Sequence, residues 1–225
     1  MMPLNEQAFE YLKKLIADNV LHPDTIYSET KLSKELGISR TPLRDAIHRL
    51  VQERYIDIIP SKGFCLHKLS AKDVWDTFQL RSAIECYCTV EISKQSESEK
   101  ARQLFEKLDV IMEKCREILD CPERLEEFLQ YDLSFHSEII DYFENEELSA
   151  TFASYRYRIS RLALLTLQHP GRSRATFQEH SDILQAMKEG RTSEIYELTL
   201  KHTEITKKIS LQDLEEPASK ETPFP

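Results

Sequence analysis

The segment Ser39-Arg40-Thr41-Pro42-Leu43-Arg44-Asp45-Ala46-Ile47-His48-Arg49-Leu50-Val51 constrains the fold more than any other stretch of the chain. Leu43, Ala46, Ile47, Leu50 and Val51 recur at the spacing of one apolar stripe on an α-helix. Arg40, Arg44 and His48 follow one another four apart with Arg49 beside them, so the opposite face is cationic. Ser39 suits an N-cap, and Pro42 falls in the first turn, where a missing N–H removes no helical bond. A helix loaded in this way either carries ordinary solvated charge or enters a groove of DNA, where guanidinium groups reach phosphates and guanine edges. Its neighbours decide between the two.

Phe9, Leu12, Leu15 and Ile16 give a first helical stripe across residues 4–20, ended by the Asn19 to Asp24 region with its Pro23. A second short helix fits Ser28 to Leu36, with Ser28 as cap and Gly37 where a left-handed C-terminal cap is needed. The order of short helix, Gly37-Ile38-Ser39 turn and basic helix is that of a helix-turn-helix, whose second helix lies in the groove. After Val51 the period changes. Tyr55 to Ile59 and Phe64 to His67 are β-branched or aromatic runs flanking Pro60-Ser61-Lys62-Gly63, which predicts a hairpin wing with a basic tip. Residues 1–69 are therefore expected to form a winged helix-turn-helix domain that binds double-stranded DNA.

The overall charge of −9 on 225 residues gives no hint of this. Residues 1–68 hold ten Lys or Arg against nine Asp or Glu, so the acidity lies beyond them. A hydrophobic content of 40% is that of a globular chain with one large or two modest domains. No run of about 18 apolar residues exists to span a bilayer, and the N-terminus lacks the basic-then-apolar signal pattern, so a cytoplasmic protein is expected. Cys65, Cys86, Cys88, Cys115 and Cys121 are odd in number without a C-x-x-C pair, and read as buried thiols.

From Ser70 onward the pattern is helical throughout. Ser70 and Asp73 are spaced as a capping box, and helices are expected at about 70–94, 98–120, 123–143, 146–168, 174–189 and 192–209. This predicts an all-helical antiparallel bundle over residues 70–210 and a disordered tail at 211–225. Three of its helices carry one histidine each on an apolar face, namely His136, His180 and His202. Asp132 lies one turn before His136, so carboxylate and imidazole share a face and could grip one ion. Buried imidazoles demand a hydrogen-bond partner or a metal. The helix through Val74, Phe78, Arg81, Glu85, Cys88 and Ile92 sets a charged pair one turn apart in an apolar seam.

Residues 20–68 resemble the N-terminal domain of the GntR family of bacterial transcription regulators through Leu32-x-x-x-Leu36-Gly37-Ile38-Ser39-Arg40-Thr41-Pro42-Leu43-Arg44-Asp45-Ala46-Ile47-x-x-Leu50. The resemblance implies base contacts from Arg40 and Arg44, phosphate contacts from Ser39 and Thr41, and a wing tip at Lys62-Gly63 in the minor groove, with Arg49 on the same DNA-facing surface. The chain departs from the family pattern in two places. It has Pro23-Asp24 where Pro-Gly is usual, and no glycine near Arg54-Tyr55. Asp132-x-x-Phe135-His136, Glu179-His180-x-x-Ile183-Leu184-x-Ala186-Met187-x-x-Gly190 and His202 are similar to the FadR-like, FCD-type C-terminal domain in its metal-binding version. That likeness implies that Asp132, His136, His180 and His202 hold a divalent ion in a bundle that also receives an effector and forms the dimer. Arg81-x-x-Ile84-Glu85 resembles the Arg-x-x-Leu-Glu signature of the same domain, which implies effector binding by Arg81 and Glu85.

Imidazole with carboxylate suits zinc or nickel, with manganese or iron as further candidates, better than calcium or magnesium. The expected molecule is a homodimeric regulator whose hold on a pseudo-palindromic operator is controlled by a small carboxylate effector. Two other readings of the Asp/His set remain: a metal-dependent enzyme, for which the chain offers no H-E-x-x-H or other obvious base, or a purely structural ion. No catalytic residue is assigned. His22, His48, His67 and His169 are expected at the surface or on the DNA side.

Overall fold

A computed structural model of the chain describes residues 2–17, 20–22 and 24–215. They divide into two compact units, one up to Leu69 and one from Ser70 onward.

The first unit contains α1 (Leu4–Ala17), α2 (Glu29–Leu36), α3 (Arg40–Gln52), β1 (Ile56–Ile59) and β2 (Gly63–Leu66). α1 buries Ala8, Phe9, Leu12 and Ile16 and packs along α3, which buries Leu43, Ala46, Ile47 and Leu50. Each fully buried leucine or isoleucine contributes about 1.5–3 kcal/mol, so this stripe fixes the position of the basic face opposite it. α2 begins at Ser28, in extended backbone with its hydroxyl accepting from the Lys31 N–H, and stops at Gly37, whose left-handed φ of 65° turns the chain toward α3. Ser39 is in extended backbone at the start of α3, but its hydroxyl makes no capping bond, so its role there is positional.

β1 and β2 pair antiparallel, Ile56 opposite Leu66 and Ile59 opposite Gly63, and form the wing. Tyr27 makes a single antiparallel bridge to β2: its N–H donates to the Phe64 carbonyl at 2.7 Å and its carbonyl accepts from the Phe64 N–H at 3.0 Å. This pairing explains Gly63. At φ 137°, a Cβ there would lie 2.0 Å from the Tyr27 carbonyl oxygen, so close packing within the sheet already demands glycine. His67 is buried instead of lying on the surface, because its Nδ1 bonds to Asp57 at 2.8 Å across the hairpin. Asp24 and Arg54 adopt left-handed φ of 65° and 61°. The chain keeps the turn geometry without the residue that makes it easy.

The second unit is helical: α4 (Ala71–Ser93), α5 (Glu99–Ile118), a 3-10 turn at Pro122–Arg124, α6 (Leu125–Asp141), α7 (Glu146–Leu167), α8 (Arg172–Lys188) and α9 (Thr192–Glu215). Ser70 and Asp73 form the expected capping box. α4 is the axis of the unit and contacts α6, α7, α8 and α9. Among the described residues no helix is long and apolar enough to cross a membrane. Two expectations need correction. α9 runs six residues past the expected end at Ile209, through Glu215, because Ser210 is buried and Asp213 pairs with His169 at 2.8 Å. The remainder of the proposed tail lies outside the described residues. Of the five thiols only Cys86, Cys88 and Cys115 are buried, while Cys65 and Cys121 are partly exposed.

α4 and α9 meet along small hydroxyl-bearing residues. Ser82 bonds to Thr203 at 2.8 Å, Thr89 to Thr199 at 3.0 Å and Ser93 to Thr192 at 3.3 Å. Short side chains let the two backbones approach, and each hydroxyl finds a partner in the other helix or in its own preceding turn.

Two stability outcomes follow for the first unit. Arg54→Gly should raise the unfolding free energy by about 0.5–1 kcal/mol in denaturant titration, since it relieves a left-handed residue at the cost of added unfolded-state entropy. Gly63→Ala should loosen the wing, seen as faster amide exchange at Tyr27 and Phe64, and an unchanged rate would show that the backbone yields there.

Candidate functional site

Two surfaces or clusters carry chemistry, one in each unit. In the first unit Ser39, Arg40, Thr41, Arg44, His48 and Arg49 are all exposed on α3, and Lys62 is exposed at the turn of the wing. They are not equally available. Arg44 Nε bonds to Glu29 of α2 at 3.0 Å, which holds it outward across the helix-turn-helix. Arg49 is bound on three sides: Nη1 to Glu6 at 2.8 Å, Nε to Glu53 at 3.1 Å, and its guanidinium 3.7 Å from the centre of the Phe9 ring. It therefore clamps α1 to α3, a role that periodicity on α3 alone did not suggest.

In the second unit, four helices converge. His136 of α6, His180 of α8 and His202 of α9 are buried, and each offers one ring nitrogen within 4.8 Å of the others. Their ring centres are 4.7 to 5.2 Å apart. Phe135 stacks on His180 at 4.3 Å, nearly parallel, and fixes that ring. Asp132 stands at the edge of this group, its Oδ1 3.7 Å from His180 Nε2. α4 supplies Arg81 and Glu85. They form the ion pair that their spacing suggests, Nε to Oε1 at 2.7 Å, but in the interior: their side chains are 2% and 3% exposed.

The hydrogen bonds settle where the lone pairs are. Glu85 Oε2 lies 3.0 Å from His136 Nδ1, and Glu179 Oε2 lies 2.7 Å from His202 Nδ1. Carboxylates accept, so both Nδ1 atoms carry hydrogen, and both Nε2 atoms are left with lone pairs. Arg81 Nη2 donates to His136 Nε2 at 3.1 Å, in agreement. His180 Nε2 is buried with no hydrogen-bond partner among the described residues. A set of imidazole lone pairs turned inward, with carboxylates behind two of the rings, is the arrangement that suits a transition-metal ion.

The charges are tuned by the same contacts. Burial pushes the Glu85 carboxyl up, but Arg81 and His136 more than offset it and hold it well below the usual range. Burial also opposes ionisation of Glu179, yet bonds from His202 and Arg172 bring it to about 2. Burial, with charge repulsion from its neighbours, drives His180 well below its ordinary value, and burial lowers His202 despite the bond from Glu179. Glu85 and Glu179 are thus held ionised, while His180 and His202 disfavour the imidazolium form.

Sequence reasoning missed Glu179 and Arg172. Arg172 bonds Glu179 through Nη1 at 2.6 Å and Nη2 at 2.9 Å, and Thr206 at 3.3 Å. A faint signal was present, since Arg172 and Glu179 are two helical turns apart and Glu179 adjoins His180. That Glu179 reaches a histidine of α9 is a tertiary fact.

The sequence profile of the gntR family of bacterial regulatory proteins matches residues 4–66, and that of the FCD domain matches residues 76–204. Among curated relatives, the HTH-type transcriptional repressor RspR of Escherichia coli K12 is 24% identical over 185 residues, 82% of this chain and 79% of that one. The Nta operon transcriptional regulator of Aminobacter aminovorans is 26% identical over 180 residues, 80% and 81% of the two chains. The solved structure of E. coli McbR/YncC has a TM-score of 0.71 at 17% identity, covering 95% of this chain and 99% of that one, and so shares the fold. A winged unit matched by one profile and a helical unit matched by the other make this chain a member of the GntR family of bacterial transcription regulators, one that carries an FCD domain.

Proposed function

We propose that this regulator is a homodimer that reads a pseudo-palindromic operator and responds to a small organic acid, with a divalent ion held by Asp132, His136, His180 and His202. The observation that carries the ion is His180 Nε2, buried and without a partner beside two other imidazoles. An unsatisfied buried nitrogen costs about 1–3 kcal/mol, which ligation would recover. Glu85 and Glu179 fix the tautomers that ligation needs. Zinc or nickel fits the donor set first by affinity order, with manganese or iron next. When bound, the ion supplies a Lewis-acid position for a carboxylate oxygen. Arg81 Nη2, now bonded to His136 Nε2, would be freed for the acid when that lone pair is taken.

On the DNA side, Arg40 and Arg44 are assigned to base edges, Ser39 and Thr41 to phosphates, and Lys62-Gly63 to the minor groove. Arg44 would exchange Glu29 for a guanine edge or phosphate, and Arg49 would act by holding α3 against α1. One winged helix buries little surface and reads few base pairs, so two copies are needed for specificity. Acid binding then shifts the population between arrangements of the two winged helices that do and do not fit the operator.

Arg44→Ala should weaken binding to a selected operator by about 1–3 kcal/mol, and equal affinity in a gel-shift titration would remove Arg44 from the base-reading set. Untagged protein should carry close to one transition-metal ion per chain by elemental analysis, and His180→Ala should abolish it. A pH effect follows from the histidines. Folded-state pKa values below the ordinary 6.5 mean that the unfolded chain binds more protons, so stability is present above that value and lost on acidification. Metal-free protein should therefore melt progressively lower from about pH 7 to about pH 5, and the ion should leave over the same range, as monitored by calorimetry and dialysis.

A further inference from the structure

Three arginines are buried in the second unit: Arg81, Arg158 and Arg172. Arg81 is neutralised by Glu85 and Arg172 by Glu179. Arg158, on α7, is 5% exposed, and its Nε has no hydrogen-bond partner among the described residues. Its guanidinium stacks on Tyr155, 3.9 Å from the ring centre. Stacking on an aromatic face orients the planar fork while leaving its N–H edges for an acceptor. The sequence around it withholds that acceptor. From Leu148 to Gln178 there is no Asp or Glu, although Arg156, Arg158, Arg161, Arg172 and Arg174 all fall there in a chain of net charge −9. Arg174 reaches Asp120, and Arg161 meets the Tyr157 hydroxyl at 3.5 Å. A buried guanidinium without a carboxylate is costly unless its counter-charge comes from outside the chain.

We propose that Arg158 is an anion-binding group, taking a carboxylate or phosphate of a small ligand in its fork, with Tyr155 as the platform that orients it. The inference rests on the reading of an acid effector, and it moves the main charge contact for that effector to α7. Arg81, already paired with Glu85 and bonded to His136, then serves chiefly to position the histidine cluster.

The test is thermal unfolding of the full-length protein titrated separately with acetate, citrate and inorganic phosphate, in wild type, Arg158→Met and Arg158→Lys. Wild type should melt higher as at least one of these is added, and which one responds separates a carboxylate from a phosphate ligand. In Arg158→Met the apparent dissociation constant should rise about tenfold or more, as expected on losing a charge-assisted pair of bonds. Arg158→Met should also start from a higher melting temperature in the absence of anion, because a neutral side chain of similar length removes an unpaired buried charge. Arg158→Lys should keep a weaker response. An anion response in Arg158→Met equal to wild type overturns the assignment alone, since the anion is then held elsewhere, at the histidine cluster or Arg81. A lower melting temperature for anion-free Arg158→Met also overturns it, because the guanidinium would already be satisfied, by Tyr155 or by a second copy of the chain. No response from wild type to any of the three anions overturns both the assignment and the acid-effector reading, while leaving the ion and operator readings to their own tests.

Discussion

Glu85 is a carboxylate bonded at once to Arg81 and His136 in the interior of a helical bundle. An isolated carboxylate could not be ionised there, because leaving water without compensation costs far more than a domain's net stability. Two cationic or hydrogen-bearing partners make it tolerable, and in return it fixes both of them. Arg81 is held along α4, and His136 is held with hydrogen on Nδ1 and its lone pair on Nε2. Glu179 does the same for His202, with Arg172 and Thr206 as supports. The histidine cluster therefore depends on two carboxylates, Glu85 buried and Glu179 partly buried, which set its tautomers and its charge.

That arrangement requires α4 and α9 to lie close and in one register. The seam of Ser82, Thr89 and Ser93 against Thr192, Thr199 and Thr203 supplies both. Small side chains permit the approach, while directional hydroxyl bonds penalise sliding by a turn. Bulky apolar residues at the same positions would bury more surface but would hold the helices further apart. Arg81 and Glu85 on one helix and His202 on the other thus converge because the surfaces between them are small and polar.

The first unit shows the reverse economy. Its basic face is rigid through apolar packing beneath α3 and through ion pairs above it, Arg44 with Glu29 and Arg49 with Glu6 and Glu53. Exposed pairs of this kind stabilise little, about 0–1 kcal/mol each, so their worth lies in restricting the side chains they hold. Asp24 and Arg54 carry left-handed backbone without glycine, and the Tyr27 carbonyl leaves no room for a Cβ at Gly63.

The sequence by itself determined every element whose signal is local. The spacing of Leu43, Ala46, Ile47 and Leu50 dictates α3; Ser28, Gly37, Ser70 and Asp73 mark helix ends through bonds to residues at most four away; the alternation about Pro60 to Gly63 gives the wing. It also named His136, His180 and His202, since a histidine on an apolar helical face is visible from periodicity. Tertiary structure alone decided what those residues touch. Glu179 reaching His202, Asp132 standing at the edge of the three rings, Arg49 clamping α1 and Arg158 buried without a carboxylate all depend on helix azimuth and separation. Those are set by packing summed over many side chains, and no window of a few residues encodes them. The end of α9 belongs with them, because Leu211 to Glu215 has the composition of a tail and is helical only where Ser210 is buried and Asp213 meets His169.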